Sequence, residues 1–267
     1  MGFNIFKRKT EEEPIYLDCY TASHYAYNHA KIDYAKRYLP EWFKRHKKFT
    51  DAEEALTIRF CPAISDYYIK GIVIPLWGEV KMTVHALGEE GTYLWASSNP
   101  DFDLHTQSHP KSQWEGFGSD NLVNVKFVSP WAFKTREPLY FSWGQPLWSQ
   151  PNSFNSLVGM PAAIQFKTQF ATNINYIVEK KAEPQTINLA PLTPMVMLHP
   201  MTERRVEIRN HLVDERKFAT LMRSSGGMLL DDTGQMDALR GQLFSGFRAK
   251  RQKFWDKADE LNKCPYK

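Results

Sequence analysis

Metal-assisted chemistry needs donors that converge, and the nearest approach to such a set here is Asp103, His105 and His109, joined by His199 from a later segment. Two imidazoles and a carboxylate are the ligands of the non-haem iron oxygenases, which leave positions open for substrate and oxygen. The usual local form is His-x-Asp or His-x-Glu. None of the eight histidines (His24, His29, His46, His85, His105, His109, His199 and His211) begins it. Asp103 and His105 share a face if the chain is extended, but His109 precedes Pro110 and reads as loop. Exposed loop histidines are the simpler account, so the expectation is no metal and no cofactor.

Other chemistries are no better supplied. There is no Gly-x-Ser-x-Gly elbow, and Cys19, Cys61 and Cys264 are too far apart in sequence for a zinc knuckle or a disulfide framework. Gly116-Phe117-Gly118 lacks the third glycine and the lysine of a phosphate loop. Asp231-Asp232-Thr233-Gly234 lacks the alternating oxygen ligands of a calcium loop, and a helix cap explains it.

What remains is surface for binding. Lys44, Arg45, Lys47 and Lys48 adjoin Trp42 and Phe43, and Arg248, Lys250 and Arg251 adjoin Phe254 and Trp255. Cations beside rings can hold phosphates and stack bases, which makes nucleic acid a candidate partner. The ordinary alternative is a solvated helix end whose rings dock on the core. Trp77 follows Pro75, and Trp131 follows Pro130 and precedes Lys134, so these residues fall where a strand bends and pockets form. Against that stands a role as core anchors at strand corners. Trp143 and Trp148 form a third aromatic group on a hairpin or loop, where exposure favours a partner surface. The candidate ligand- or partner-binding residues are therefore Trp77, Asp103, His105, His109, Trp131, Lys134, Trp143 and Trp148.

These residues hang on β-type runs cut by proline, glycine and asparagine between Ala55 and Arg209. In the clearest run Val123, Val125 and Phe127 share one face and Asn124 and Lys126 the other; Val80, Met82 and Val84 repeat the pattern. Strands are expected near Ala55 to Phe60, Gly71 to Leu76, Glu79 to Leu87, Thr92 to Ser97, Leu122 to Val128, Ala132 to Lys134, Leu139 to Trp143, Ala162 to Phe170, Asn173 to Val178, Thr186 to Leu189, Met195 to Leu198 and Arg204 to Ile208. Gly88 to Gly91 supplies a hairpin connection, and Ser98 to Asp120 a long polar segment. Before the β region, spacing predicts a helix over Ala30 to Tyr38 and a short turn at Glu41 to Lys47. After it, Phe218, Leu221 and Met222 mark one helix, and Met236, Leu239, Leu243 and Phe247 another. The division is a mixed, helical segment over 1–50, a mainly β core over 51–210 that forms a β-sandwich or barrel, and a helical extension over 211–267.

Composition sets wide limits. With 42% apolar and 24% charged residues the chain can bury a full core, and 14% aromatics point to rings packed between sheets. A net charge of +4 is too small over 267 residues to imply general polyanion affinity. The apolar start, Met1 to Phe6, is too short for a signal peptide and nothing approaches a membrane span, so an intracellular product with no membrane contact is expected.

Six segments taken in order carry a resemblance: Leu39-Pro40-Glu41-Trp42-Phe43, Cys61-Pro62-Ala63-Ile64, Gly71 to Trp77, Val128 to Thr135, Leu189 to Pro194 and Val206 to Val213. Together they resemble an uncharacterised family encoded by marine tailed bacteriophages, notably those of cyanobacteria, with more distant bacterial relatives. The likeness spans roughly residues 35–225. It implies a phage origin and an antiparallel jelly-roll or cupin-like β fold, and it carries no activity or catalytic residue. The expectation that follows is a non-enzymatic binding or structural protein of a phage, a virion or assembly component made in the host cytoplasm. Its partners would be other phage proteins or copies of itself. The alternative is a cupin-like, metal-dependent enzyme acting on a host metabolite or macromolecule through Asp103, His105 and His109.

Overall fold

The computed structural model describes residues 12–47, 49–50, 55–89, 93–97, 109–150, 156–167 and 170–225. The protein is mainly β, with several antiparallel sheets. Its first strand, β1 (Ile15–Thr21), alternates residue by residue: Ile15, Leu17, Cys19 and Thr21 are buried and the residues between them are half-buried. Helix α1 (His24–His29) follows, its first turn capped by the Ser23 hydroxyl, which accepts from Ala26 N at 3.1 Å. Then come β2 (Asp33–Tyr34), α2 (Glu41–Arg45), α3 (Pro62–Lys70), β3 (Ile72–Pro75), β4 (Val80–Val84) and β5 (Tyr93–Ala96). The second half holds β6 (Leu122–Phe127), β7 (Ala132–Thr135), β8 (Tyr140–Gly144), β9 (Leu157–Gly159), β10 (Ala162–Gln165), β11 (Ile174–Glu179), β12 (Gln185–Leu189), β13 (Pro194–Pro200), β14 (Val206–Leu212) and α4 (Glu215–Ser225).

Among the described residues four sheets result, in the orders β14-β1-β7, β10-β8-β13-β3-β2, β6-β11-β9 and β12-β4-β5. Among the described residues all strand pairs are antiparallel except β1 with β14, where Ile15 to Thr21 run alongside Val206 to Leu212 in parallel. Residues from all four sheets meet in one apolar cluster that includes Leu17, Ile74, Met82, Val125, Phe127, Phe141, Tyr176 and Leu198. The expected inward triplets Val80, Met82, Val84 and Val123, Val125, Phe127 are all buried in it. Asn124, expected on the outer face, is also buried, because its amide donates to Tyr176 O at 3.4 Å and its Oδ1 accepts from His109 N at 3.0 Å. The buried Tyr176 hydroxyl donates to Met195 O and accepts from Gln150 Nε2 at 3.2 Å, and burial raises its pKa. No helix among the described residues is long and apolar enough to cross a membrane.

Local sequence misleads in several places. The helix expected over Ala30 to Tyr38 is instead the short strand β2 and a 3-10 turn at Ala35–Tyr38. Tertiary partners compete with helical pairing there: Asn210 Oδ1 accepts from Ile32 N and its Nδ2 donates to Ile32 O, and Asp33 and Tyr34 pair with Val73 and Ile72 of β3. The strand expected over Ala55 to Phe60 is a 3-10 turn at Ile58–Phe60, with one bridge from Leu56 to Phe49. Pro62, at the first position of α3, starts a helix at once. The run Ala162 to Phe170 stops being strand after Gln165, where Phe166 turns inward against Phe133 and Phe141 and its carbonyl accepts from Thr135 N at 3.2 Å. Finally, the mixed segment over 1–50 also supplies β1, the middle strand of a sheet, and β14 runs four residues past the strand expected over Arg204 to Ile208. Strand β9 was not anticipated at all; three residues are too few to show alternation.

The last turn of α3 meets the sheet at Gly71. A Cβ there would lie 2.6 Å from both Met197 Sδ and Tyr67 O and 2.9 Å from Ala35 Cβ, so this close approach needs glycine. It seats α3 on β3 and β13, where Tyr68, Val73, Met197 and Ala35 form a second small core. That core carries the surface described next.

Candidate functional site

Pro40 opens α2, a helix of barely more than one turn whose two rings part company. Phe43 is buried against Tyr68, with ring centroids 5.8 Å apart, while Trp42 remains 43% exposed. The indole is nonetheless fixed: its Nε1 donates to Trp148 O at 3.1 Å, and the two indoles lie 6.1 Å apart. Trp148, 40% exposed, sits on a 3-10 turn at Leu147–Ser149 that is tied to α3 by a 2.8 Å hydrogen bond between Tyr68 and the Ser149 hydroxyl.

Beyond α2 the chain doubles back. Arg59 Nη1 donates to the carbonyls of Lys44 and His46, both at 3.0 Å, the Thr57 hydroxyl donates to Lys47 O at 2.6 Å, and Thr50 N donates to Ala55 O at 2.8 Å. These bonds frame one side of an open hollow of about 360 Å³ lined by Trp42, Arg45, His46, Lys47, Phe49, Thr50 and Thr57. Outside its lining, Glu41 accepts from Lys44 Nζ at 2.8 Å and lies 3.8 Å from Arg45; the Lys44 hydrogen bond holds its pKa below the usual range. The described part of the site is thus cationic, aromatic and hydroxylic, and it lies open to solvent. Sequence reasoning pointed to Trp42, Lys44, Arg45 and Lys47, with Lys48 outside the described residues; it missed Phe49, Thr50 and Thr57, which only the return of the chain at Ala55 to Arg59 brings alongside.

The other expected residues fall apart from one another. Trp77 and Trp131 are no more than 2% exposed and Trp143 is buried too, so all three are core anchors rather than contact residues. The Trp77 corner is pinned from the turn before β13, with Leu76 N donating to Thr193 O and Leu192 N to Leu76 O. Lys134 is buried on β7, opposite Asp18 in the register, and presents no contact surface to solvent. His109 is exposed, with Nδ1 2.6 Å from Gln113 Oε1, whereas His199 lies on β13 with Nε2 2.9 Å from Tyr67 O. Each thus has its own local partner. Burial holds the His199 pKa below its ordinary value, the Tyr67 carbonyl opposing this. Asp103 and His105 lie outside the described residues, as do Arg248, Lys250 and Arg251. Among the described residues no three His, Cys, Asp or Glu side chains are grouped to hold a metal. Cys19, as a nucleophile, is unsuited: burial, with Asp18 adding to it, pushes its thiol pKa well up.

A second polar patch went unread in the sequence. On the outer face of β14-β1-β7, His211 Nε2 lies 2.8 Å from Asp18 Oδ1 and its ring stacks on Tyr20 at 4.7 Å, while Arg209 lies 3.3 Å over the ring of Tyr16. Helix α4 covers one end of this face through Phe218, Leu221 and Met222 against Tyr20 and Ala132. The signal was the alternation of Glu207, Arg209 and His211 along β14. No family model, curated protein or solved structure matches this chain.

Proposed function

We propose that this chain is a non-enzymatic binding or structural protein, a virion or assembly component of a tailed bacteriophage, whose jelly-roll-like β-sandwich body displays the α2 surface to a partner. One observation carries the reading: Trp42, Trp148, Leu147 and Phe49 are large apolar side chains left exposed together with cations, on elements that specific hydrogen bonds hold rigid. Rings held in place lose little freedom on contact, and interface cores favour Trp, Phe and Arg. The order of sequence motifs from Leu39 to Val213 supports the phage origin.

Quantitative mass spectrometry of purified particles tests it. The chain is expected at a fixed, stoichiometric copy number; clean absence from washed particles overturns the virion reading and moves weight to an enzyme acting in the host.

A further inference from the structure

We propose that the Trp42 hollow binds a nucleotide unit, its base stacked on the rings of Trp42 and Phe49 and its phosphate held by Arg45 and Lys47. This deepens the binding reading above and depends on it only for the claim that the α2 surface is a contact surface.

Shape comes first. At about 360 Å³ the hollow stands at the small end of ligand sites, which run from about 300 to 1,000 Å³, and has room for one base with its sugar and phosphate. Charge comes second. Arg45, whose side chain is 80% exposed, leads a lining that also holds Lys47 and His46, and the guanidinium of Arg59 sits just behind on the carbonyls of Lys44 and His46. Glu41 offsets part of this from the same helix face as Arg45, 3.8 Å from its guanidinium, while accepting the shorter hydrogen bond from Lys44. Aromatic chemistry comes third: Trp42 is braced by Trp148 and by Phe43, an edge contact at 5.5 Å, so the indole offers a fixed platform. A stacking platform beside cations is how single-stranded nucleic acids are held without sequence readout. Thr50 and Thr57 add hydroxyls able to reach sugar or base. Residues 51–54, with Asp51, Glu53 and Glu54, lie outside the described residues.

The experiment titrates the full chain with decathymidylate, thymidine monophosphate and tripolyphosphate at about 50 mM salt, following tryptophan fluorescence, and repeats the series for Trp42→Ala, Trp42→Phe and the pair Arg45→Gln with Lys47→Gln. Decathymidylate is expected to bind and quench. Trp42→Ala should weaken it about five- to hundredfold, as loss of one stacked base does, and Trp42→Phe should restore most of the affinity. The double Gln variant should lower the slope of log affinity against log salt by roughly one. Binding of the oligonucleotide well above the monophosphate identifies a strand as the source, and equal affinities identify a free nucleotide. Tripolyphosphate matching the oligonucleotide, indifference to Trp42→Ala, or no binding by either nucleotide probe overturns the proposal. If Trp42→Ala instead blocks incorporation into particles while no nucleotide binds, the hollow is a protein contact and this inference fails, though the virion reading stands.

Discussion

Trp77 and Trp131 follow Pro75 and Pro130 by two residues and by one; Trp42 and Trp148 each follow a proline by two, Pro40 and Pro146. The first two are at most 2% exposed, the second two 43% and 40%. A proline beside an indole therefore does not say which way the ring goes. Pro75 ends β3 and Pro130 stands just before β7, so those rings lie just past one strand end and just before another, where the adjoining strands carry them into the common core. Pro40 and Pro146 each open a single short turn lying on α3, and the small core beneath is already filled by Phe43 and Tyr68. The buried pair serves stability and the exposed pair is available to a ligand, because the space behind each ring is taken or not by other parts of the chain.

The comparison breaks most visibly at Trp131. Trp131→Ala should destabilise by about 3–5 kcal/mol, as emptying a fully buried aromatic site does, measured by the urea midpoint at constant slope. A loss under about 1 kcal/mol would place that ring outside the core. Next is Asn210, whose amide satisfies both backbone groups of Ile32. Asn210→Ala should cost about 1–3 kcal/mol by stranding partly buried donors and acceptors, and amide exchange at Ile32 should rise with it.

His199 sharpens the contrast between buried and exposed sites through pH. Its pKa is depressed in the folded protein, chiefly by burial, so the unfolded chain binds the extra proton more readily. Stability from this group is fully present above its ordinary pKa, near 6.5, and is lost as pH falls through the folded value. Melting temperature should therefore fall on acidification below about pH 6.5, and His199→Gln should flatten that part of the profile; an unchanged profile would mean the ring titrates as in water. The smallest effect belongs to the exposed pair. Trp42→Ala and Trp148→Ala should each move stability by only about 0.5 kcal/mol, with circular dichroism unchanged. A drop comparable to that of Trp131→Ala would end the division into core and contact tryptophans.

Much of the β architecture was legible because alternation is a property of neighbouring residues: Val80, Met82, Val84 and Val123, Val125, Phe127 face inward as their spacing demands. β1 alternates just as clearly over Ile15 to Thr21, but it stands alone before a stretch with helical spacing, and its partners lie far down the chain at Ala132 to Thr135 and Val206 to Leu212. Half the site was legible too. Trp42 and the cations after it are contiguous, whereas Phe49 and Thr57 join them through the Arg59 and Thr57 bonds to backbone carbonyls, which no spacing rule contains.

By itself the order of residues determined where the chain would be pleated, where proline would stop a strand and where charge would gather, since those depend on a few adjacent side chains. Only the tertiary structure decided which tryptophans are walled in, that Asn210 would take both backbone hydrogen bonds of Ile32, and that two strands from opposite ends of the described chain would lie in parallel. Each of these depends on which distant group occupies the volume or meets the hydrogen bond, and a local stretch of sequence carries no record of that.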